Sequence, residues 1–475
     1  MLFSSPFFLF LFLPLVLLIY FLSPKKWKNF VLLVFSLGFY TWGEKELVLL
    51  ILSSAFIDFF AGIIISNGKR KLGLSISILF NLGILFYFIY SNFIYTNLTR
   101  LLENYDISSA SAQYFSNIIL PIGISFYTFQ TMSYTIDVYR GHVKANRNFI
   151  DFATYVTLFP QLVAGPIIRY SHIELELKDR NTSISQFADG IERFIIGLTK
   201  KVVIANNCAF LVDGVFNLPI SEMSPLIAWL GIFAFGLQLY FDFSGYSDMA
   251  IGLGKMFGFN FPENFNYPYT AKSIQEFWRK WHITLSSWFK DYVYIPLGGS
   301  RKGTLKTYFN LFVVFFLTGF WHGANWNFII WGGIHGVFMI LERLGLIKIL
   351  KSVNSKIANF YVLFIFFTSL VFFRGNNFMH SMHYLKNMFY STHKTNFQFL
   401  EFYLTKEVFL VLILGIIFST PIHRNLKAKI ENLDKNLFRY NVITRVKVCF
   451  LFLLLFIDFV YISKGSYNPF IYFKF

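Results

Sequence analysis

The sequence predicts an all-α, multi-pass membrane protein, and three observations carry that prediction. Of 475 residues, 55% are hydrophobic and only 14% charged, whereas soluble domains carry about 25% charged residues. The mean hydropathy is +0.53. The apolar residues also gather into runs of about 20, the length that crosses a bilayer as a helix, separated by short polar or basic loops. The aromatic load of 21%, with 64 Phe and 27 Tyr, is bulk expected of lipid-facing surface and interfacial belts.

Charge and cysteine usage narrow the classes further. A net charge of +17 in a soluble chain would point to nucleic acid. Here the Lys and Arg sit in short loops between apolar runs, the positive-inside pattern of a membrane protein. No basic soluble module is visible, so no nucleic-acid partner is expected. Cys208 and Cys449 both lie in apolar surroundings far apart, which offers neither a disulfide framework nor a cysteine metal site.

Met1 to Leu22 is apolar, without a preceding basic residue or a small-residue cleavage site, and predicts a first transmembrane helix. Lys25, Lys26 and Lys28 follow it, which places that loop in the cytoplasm and the N-terminus outside. Further spans are expected near 30–42, 46–66 and 72–94. The neutral Gly43–Glu46 loop and the basic Lys69-Arg70-Lys71 loop alternate as that orientation requires. After the polar segment 95–117, a span from about Ile118 ends at Asp137-Val-Tyr-Arg140, before the basic stretch His142 to Arg147.

The middle of the chain is less regular. Phe149 to Ile168 contains Phe159-Pro-Gln-Leu-Val-Ala-Gly-Pro166, whose prolines and glycine break any simple span. Helices are expected near 187–217 and 225–256. The second holds Asp242, Ser244 and Asp248, polar groups that must face protein or water rather than lipid.

Ser273-Ile-Gln-Glu276 is a capping box that opens a helix. Trp278, Trp281, Leu285 and Trp288 then recur at helical spacing, with His282 four residues from Trp278 and so on the same face. Arg279, Lys280, Lys290 and Asp291 make this stretch too charged to span, and it reads as re-entrant or interfacial. Spans near 305–320, 324–346, 357–373 and 406–420 follow, then a basic, cytoplasmic segment from His423 to Lys447. A last helix near 448–463 returns the C-terminus to the outside. The total is roughly eleven spans plus re-entrant pieces.

The chemistry concentrates in Trp321-His-Gly-Ala-Asn-Trp326, Trp331-Gly-Gly-Ile-His335 and the Trp278–Ser286 stretch. A histidine at membrane depth is costly to desolvate and needs a partner or a task. His322 and His335 are thirteen residues apart, which at about 100° per residue gives different faces of an unbroken helix. They are therefore no i,i+4 metal pair, and no metal site is expected. A neutral histidine in an apolar chamber can instead act as a general base. Asp242 and Asp248, six apart, do not form a carboxylate dyad; each either satisfies a neighbouring polar group or lines a substrate path. Asp58 and Asp458 are single intramembrane acids, read as structural or paired. No Gly-rich phosphate loop, G-x-S-x-G elbow or ATPase motif is present.

Five motifs in order carry a resemblance: Ser125-Phe-Tyr-Thr-Phe-Gln130 with Ile136–Arg140, Phe159–Pro166, Phe241–Asp248, Trp278–Ser286 and Trp321-His-Gly323. Each is modest alone. Together the chain resembles the membrane-bound O-acyltransferase family, in the bacterial branch holding the alginate and peptidoglycan O-acetylation membrane subunits and the teichoic-acid D-alanylation protein. The resemblance implies one membrane domain, residues 1–475, forming a helical ring around a central funnel. Within it, 1–140 would be N-terminal spans, 141–346 a catalytic core with re-entrant helices, and 347–475 the C-terminal spans and tail. It implies that His322 is the catalytic histidine and that His282 takes the family's second polar position, which is often Asn. It further places Trp278, Arg279, Trp281, Trp321, Asn325, Asp242, Ser244, Asp248, Gln130 and His335 along the substrate path.

The tail Phe470-Ile-Tyr-Phe-Lys-Phe475 reads from composition as an interfacial aromatic anchor. It is also similar to a terminal motif of this branch proposed to carry the acyl group on tyrosine, here Tyr472. A phenol of pKa about 10 deprotonates more readily than an alcohol, and its ester is correspondingly reactive.

The expected function is O-acetyl transfer at the bacterial inner membrane, with acetyl-CoA as cytoplasmic donor, no bound cofactor, and a separate periplasmic serine-esterase-like (SGNH) acetyltransferase as partner. Peptidoglycan and an alginate-like polymer both stand as acceptors. D-alanyl transfer from a carrier protein is the rival within the family, although there the tail motif usually sits on a separate small protein. A secondary transporter would predict inverted repeats, and none is found. A structural scaffold would leave the histidine motifs unexplained.

Overall fold

The computed structural model describes residues 1–101, 118, 120–390, 393–422 and 437–465. No strand occurs among them; the ordered elements are helices. Seven helical stretches are long and apolar enough to cross a membrane, against the roughly eleven spans expected. The difference is partly one of length. Lys25–Ser66 is counted once but holds two helices, Lys28–Glu44 and Val48–Ser66. The Trp326–Leu341 and Lys406–Phe418 helices are apolar but short.

The chain divides into two compact units. The first comprises Met1–Gly190, Ala250–Pro262 and Gly323–Asn325. Its core is aromatic: Phe159 meets Phe12 at 5.3 Å and Phe39 at 5.6 Å between ring centres. The proline-containing motif breaks as expected. Phe149–Thr157 is helical, Leu158 is not, and Phe159–Leu162 forms a single turn. Phe159, freed from helical bonding, donates its N–H to Ser36 Oγ at 3.0 Å.

Asp58 is fully buried in this unit. Its carboxylate accepts hydrogen bonds from Asn81 Nδ2 at 2.7 Å, Thr135 Oγ1 at 3.2 Å, and Ser77 Oγ. A polar knot among the 48–66, 70–85 and 124–140 helices thus satisfies a lone acid, the role expected from sequence.

The second unit comprises Ile191–Met249, Glu263–His322 and Trp326–Phe475. The expected 225–256 helix is found as Pro225–Met256, and those at 304–322 and 355–374 lie within two residues of expectation. Thr304–His322 and Trp326–Leu341 pack with almost no side chain between them. A Cβ on Gly332 would lie 2.4 Å from the Phe315 carbonyl oxygen, and one on Gly319 would lie 2.3 Å from that of Phe328. Small residues let helix backbones approach this closely in membranes.

A π turn at Lys200–Ala205 interrupts the Ile184–Asn217 stretch; such bulges recur at functional sites. In the last helix, Leu437–Ser463, the Thr444–Ser463 stretch is largely unburied, with 6% of its apolar window buried. Asp458 ties it to the unit by accepting from Thr199 Oγ1 at 2.8 Å.

Candidate active site

The charged stretch at 273–289 is not one helix. It forms Ile274–Lys280 and Ile283–Phe289, seven residues each, and neither can span. Between them His282 takes φ 42°, ψ 56°, the left-handed region that non-glycine residues rarely visit. Trp278 and His282 therefore do not share a helix face, which corrects the sequence expectation. Holding a side chain there costs of order 1–3 kcal/mol and tends to mark functional sites.

Two anchors impose this break. Ser273 Oγ caps the first helix, accepting from Glu276 N at 3.0 Å. The Glu276 side chain reaches back one residue beyond the expected box, to the Lys272 N–H at 2.9 Å. The buried Glu342 carboxylate, from a distant helix, takes the Ile274 and Gln275 N–H groups at 2.5 and 3.0 Å. An anion on otherwise unpaired N-terminal donors is a favourable cap.

Asn264 is the second anchor. Its backbone carbonyl accepts from Ile283 N at 2.9 Å. Its side-chain oxygen accepts from Thr284 Oγ1 at 2.8 Å and from Thr284 N at 3.3 Å, and lies 3.0 Å from His282 Nδ1. Its amide nitrogen donates to Ser247 Oγ at 3.0 Å. A backbone N–H can only donate, so the atom facing His282 is the amide oxygen. His282 Nδ1 must then carry the proton, and Nε2 holds the lone pair. Asn264 sets both the turn and the tautomer. Asn264→Ala is expected to lower acyl transfer roughly 10- to 100-fold, the scale of losing a group that orients an active imidazole. Activity normalised to folded protein checks it.

Trp321 connects the histidines. Its ring centre lies 6.0 Å from that of His282 and 4.8 Å from that of His322. His322 is the last residue of the 304–322 helix. Trp331 and Phe373 meet it edge-on, at 5.0 and 5.2 Å. Its ring makes no hydrogen bond to any described residue.

His335 differs. Trp278 Nε1 donates to its Nδ1 at 3.3 Å, and its Nε2 lies 3.1 Å from Ser369 Oγ, whose proton goes to the Phe366 carbonyl. Both ring nitrogens are engaged inside the protein. Exposure separates the three rings: His335 0%, His282 1% and His322 8%. His322 is the most exposed of the three, and its ring makes no hydrogen bond to a described residue.

The other residues singled out from sequence divide clearly. Trp278 and Trp281 are buried in the ring cluster, Trp281 stacking on Phe277 at 5.6 Å, while Arg279 is exposed. Asp242 pairs with Lys201 at 2.6 Å, at 2% and 3% side-chain exposure. Asp248 pairs with Lys200 at 2.6 Å and with Arg193, which also binds Glu263. Asp242 thus compensates a buried lysine and Asp248 two half-buried cations, which was one of the two roles open from sequence. The π turn explains the pairing, because it brings successive lysines onto acids six residues apart. Ser244 Oγ is buried without a partner among the described residues. Gln130, 1% exposed, and the half-buried Asn325 belong to the first unit. Tyr472 lies outside the described residues. Among those, no group of three or more His, Cys, Asp or Glu could hold a metal.

Sequence reasoning missed Asn264, Glu342 and Lys201. Asn264 had a signal, since it lies in Glu263-Asn-Phe-Asn-Tyr-Pro-Tyr269, where asparagines and a proline predict a tight, side-chain-bonded turn.

Comparison with known proteins points one way. The family model of the membrane-bound O-acyltransferase family matches residues 9–383. The chain is 46% identical over 348 residues to a probable alginate O-acetylase of Azotobacter vinelandii, covering 72% of this chain and 69% of that one. It is 34% identical to the peptidoglycan O-acetyltransferase of Helicobacter pylori, covering 100% of this chain and 98% of the relative. A teichoic acid D-alanyltransferase of Bacillus subtilis is 32% identical over 239 residues, covering 47% of this chain and 59% of the relative.

Proposed function

Because the chain belongs to the membrane-bound O-acyltransferase family, and is thus a multi-pass membrane O-acyltransferase, we propose that it moves acetyl groups from a cytoplasmic thioester toward an extracytoplasmic polysaccharide. One observation carries the mechanism: His322 keeps its ring nitrogens unused inside an aromatic cage, whereas His335 has spent both. His322 takes the proton from an acceptor hydroxyl. The hydroxyl oxygen bonds to the thioester carbonyl carbon, and the carbonyl electron pair moves to oxygen. Collapse of that intermediate expels the thiolate, which recovers the proton from His322. His282, held by Asn264, orients the acceptor or the donor through Nε2. Acetyl-CoA is the proposed donor and Tyr472 the proposed first acceptor. A separate periplasmic esterase-like protein would pass the group to the sugar, and the site of action would be the bacterial inner membrane with both termini outside.

Peptidoglycan is the preferred acceptor because the Helicobacter relative matches this chain along its whole length, tail included. An alginate-like polymer is the second reading, supported by the higher identity to the Azotobacter relative. Two measurements decide. Cells with and without the gene should differ in base-labile acetate on purified peptidoglycan; a difference confined to a secreted polymer favours the second reading. Intact mass of the C-terminal peptide, after the full chain in nanodiscs meets acetyl-CoA, should show one acetyl group on Tyr472. A Tyr472→Phe variant that still acetylates the polysaccharide at the wild-type rate removes the relay.

A further inference from the structure

Trp331 stands in the cage around His322 with an N–H that no described residue accepts. Its ring centre lies 5.0 Å from His322 at an interplanar angle of 88°, and 5.1 Å from His335. The residue is 3% exposed, and its Nε1 is buried without an acceptor among the described residues. An indole nitrogen is a donor only. Leaving a buried donor unpaired forfeits its hydration without return, and such groups are uncommon in native proteins.

The neighbours explain the orphan. Trp278 and Phe373, at 5.8 and 5.0 Å, offer aromatic faces and no strong acceptor. His335 has one acceptor nitrogen, and Trp278 already occupies it. Of Trp278 and Trp331, only Trp278 has a hydrogen-bond partner for its N–H among the described residues. The helix cannot shift to find another, since Gly332, the next residue, lies against the Phe315 carbonyl. No described residue supplies the acceptor, and the unused N–H stands beside the imidazole that takes the acceptor's proton.

We propose that Trp331 is a catalytic hydrogen-bond donor, its Nε1–H holding the thioester carbonyl oxygen and stabilising the negative charge that forms there. The proposal rests on the reading of His322 as base. When the acceptor oxygen bonds to the carbonyl carbon, the displaced electron pair settles on the oxygen facing Trp331. That pair returns to re-form the carbonyl as the thiolate leaves. A donor fixed in a dry site before charge develops needs no reorganisation, which is where such donors act most strongly.

The test replaces the chromosomal gene by variants in its native cells and follows the rate at which base-released acyl groups appear on envelope polysaccharide, identified by mass spectrometry. This readout presumes neither donor nor acyl identity. Trp331→Phe keeps a ring and loses the N–H; its rate should fall about 100-fold or more, the cost of removing one such donor, at unchanged protein abundance. Where Trp331→Phe fails to accumulate, benzothienylalanine at position 331, isosteric with sulfur in place of N–H, should give the same fall. His322→Ala runs in parallel. A rate within threefold of wild type in either Trp331 variant overturns the proposal and leaves the N–H to a buried water. Activity in His322→Ala overturns the base, and with it the position assigned to the oxyanion.

Discussion

His322→Ala is expected to abolish acyl-ester formation while leaving the folded protein in the membrane. Removing a positioned general base costs about 100- to 10,000-fold, which in a cell amounts to loss of the modification. The fold should survive, because the ring bonds to no described residue and its removal orphans no polar group. It removes a ring packed against Trp321, Trp331 and Phe373, of which Trp331 and Phe373 remain in mutual contact. His335→Ala should behave the other way. It strands the Trp278 N–H and removes a bond to Ser369, so protein abundance should drop before specific activity does. Acetate on the polysaccharide, measured with membrane abundance of each variant, separates the two. Activity retained in folded His322→Ala would refute the assignment.

Asp242→Leu is expected to destabilise the protein by about 3–5 kcal/mol, the cost of stranding one partner of a buried ion pair. Lys201 and Asp242 sit 2.6 Å apart at 3% and 2% side-chain exposure, with little solvent to shield the lysine left behind. The double variant Lys201→Met with Asp242→Leu should recover most of the loss, since apolar replacement of both partners is often neutral or stabilising. Denaturation by SDS in mixed micelles gives the comparison. A single Asp242→Leu as stable as wild type would mean that the carboxylate is not spent on Lys201. The substrate role open from sequence would then return.

Helices were legible wherever one physical signal dominated. The apolar run at 225–256 defines both its ends, and the proline-containing motif at 159–166 breaks its span as proline must. What sequence could not supply were the one-to-one polar contacts. Nothing local reveals that Glu342 caps a helix 68 residues earlier at Ile274. Nothing local reveals that Lys200 and Lys201 reach different acids, because that depends on a π turn whose helical periodicity is normal on either side. The same blindness produced the error at 273–289. Trp spacing there fits a continuous helix, and the break comes from Asn264, which the spacing does not include. His322 was singled out as the candidate base through the family resemblance, because a histidine at membrane depth, taken alone, is more often a packed, hydrogen-bonded residue. Its immediate environment, and the unused indole beside it, required coordinates.

The left-handed turn at His282 also constrains how this position can evolve. Histidine, asparagine and aspartate are the non-glycine residues most often found at such backbone angles, whereas β-branched side chains are nearly excluded. Of those three, histidine and asparagine present a polar tip without a fixed negative charge. The resemblance gave asparagine as the common occupant of this position and histidine as the alternative. The backbone supplies a reason: a mutational path through valine, threonine or isoleucine would distort the turn before it altered the chemistry. At position 282 exchange between the two side chains is thus confined by the main chain as well as by chemistry.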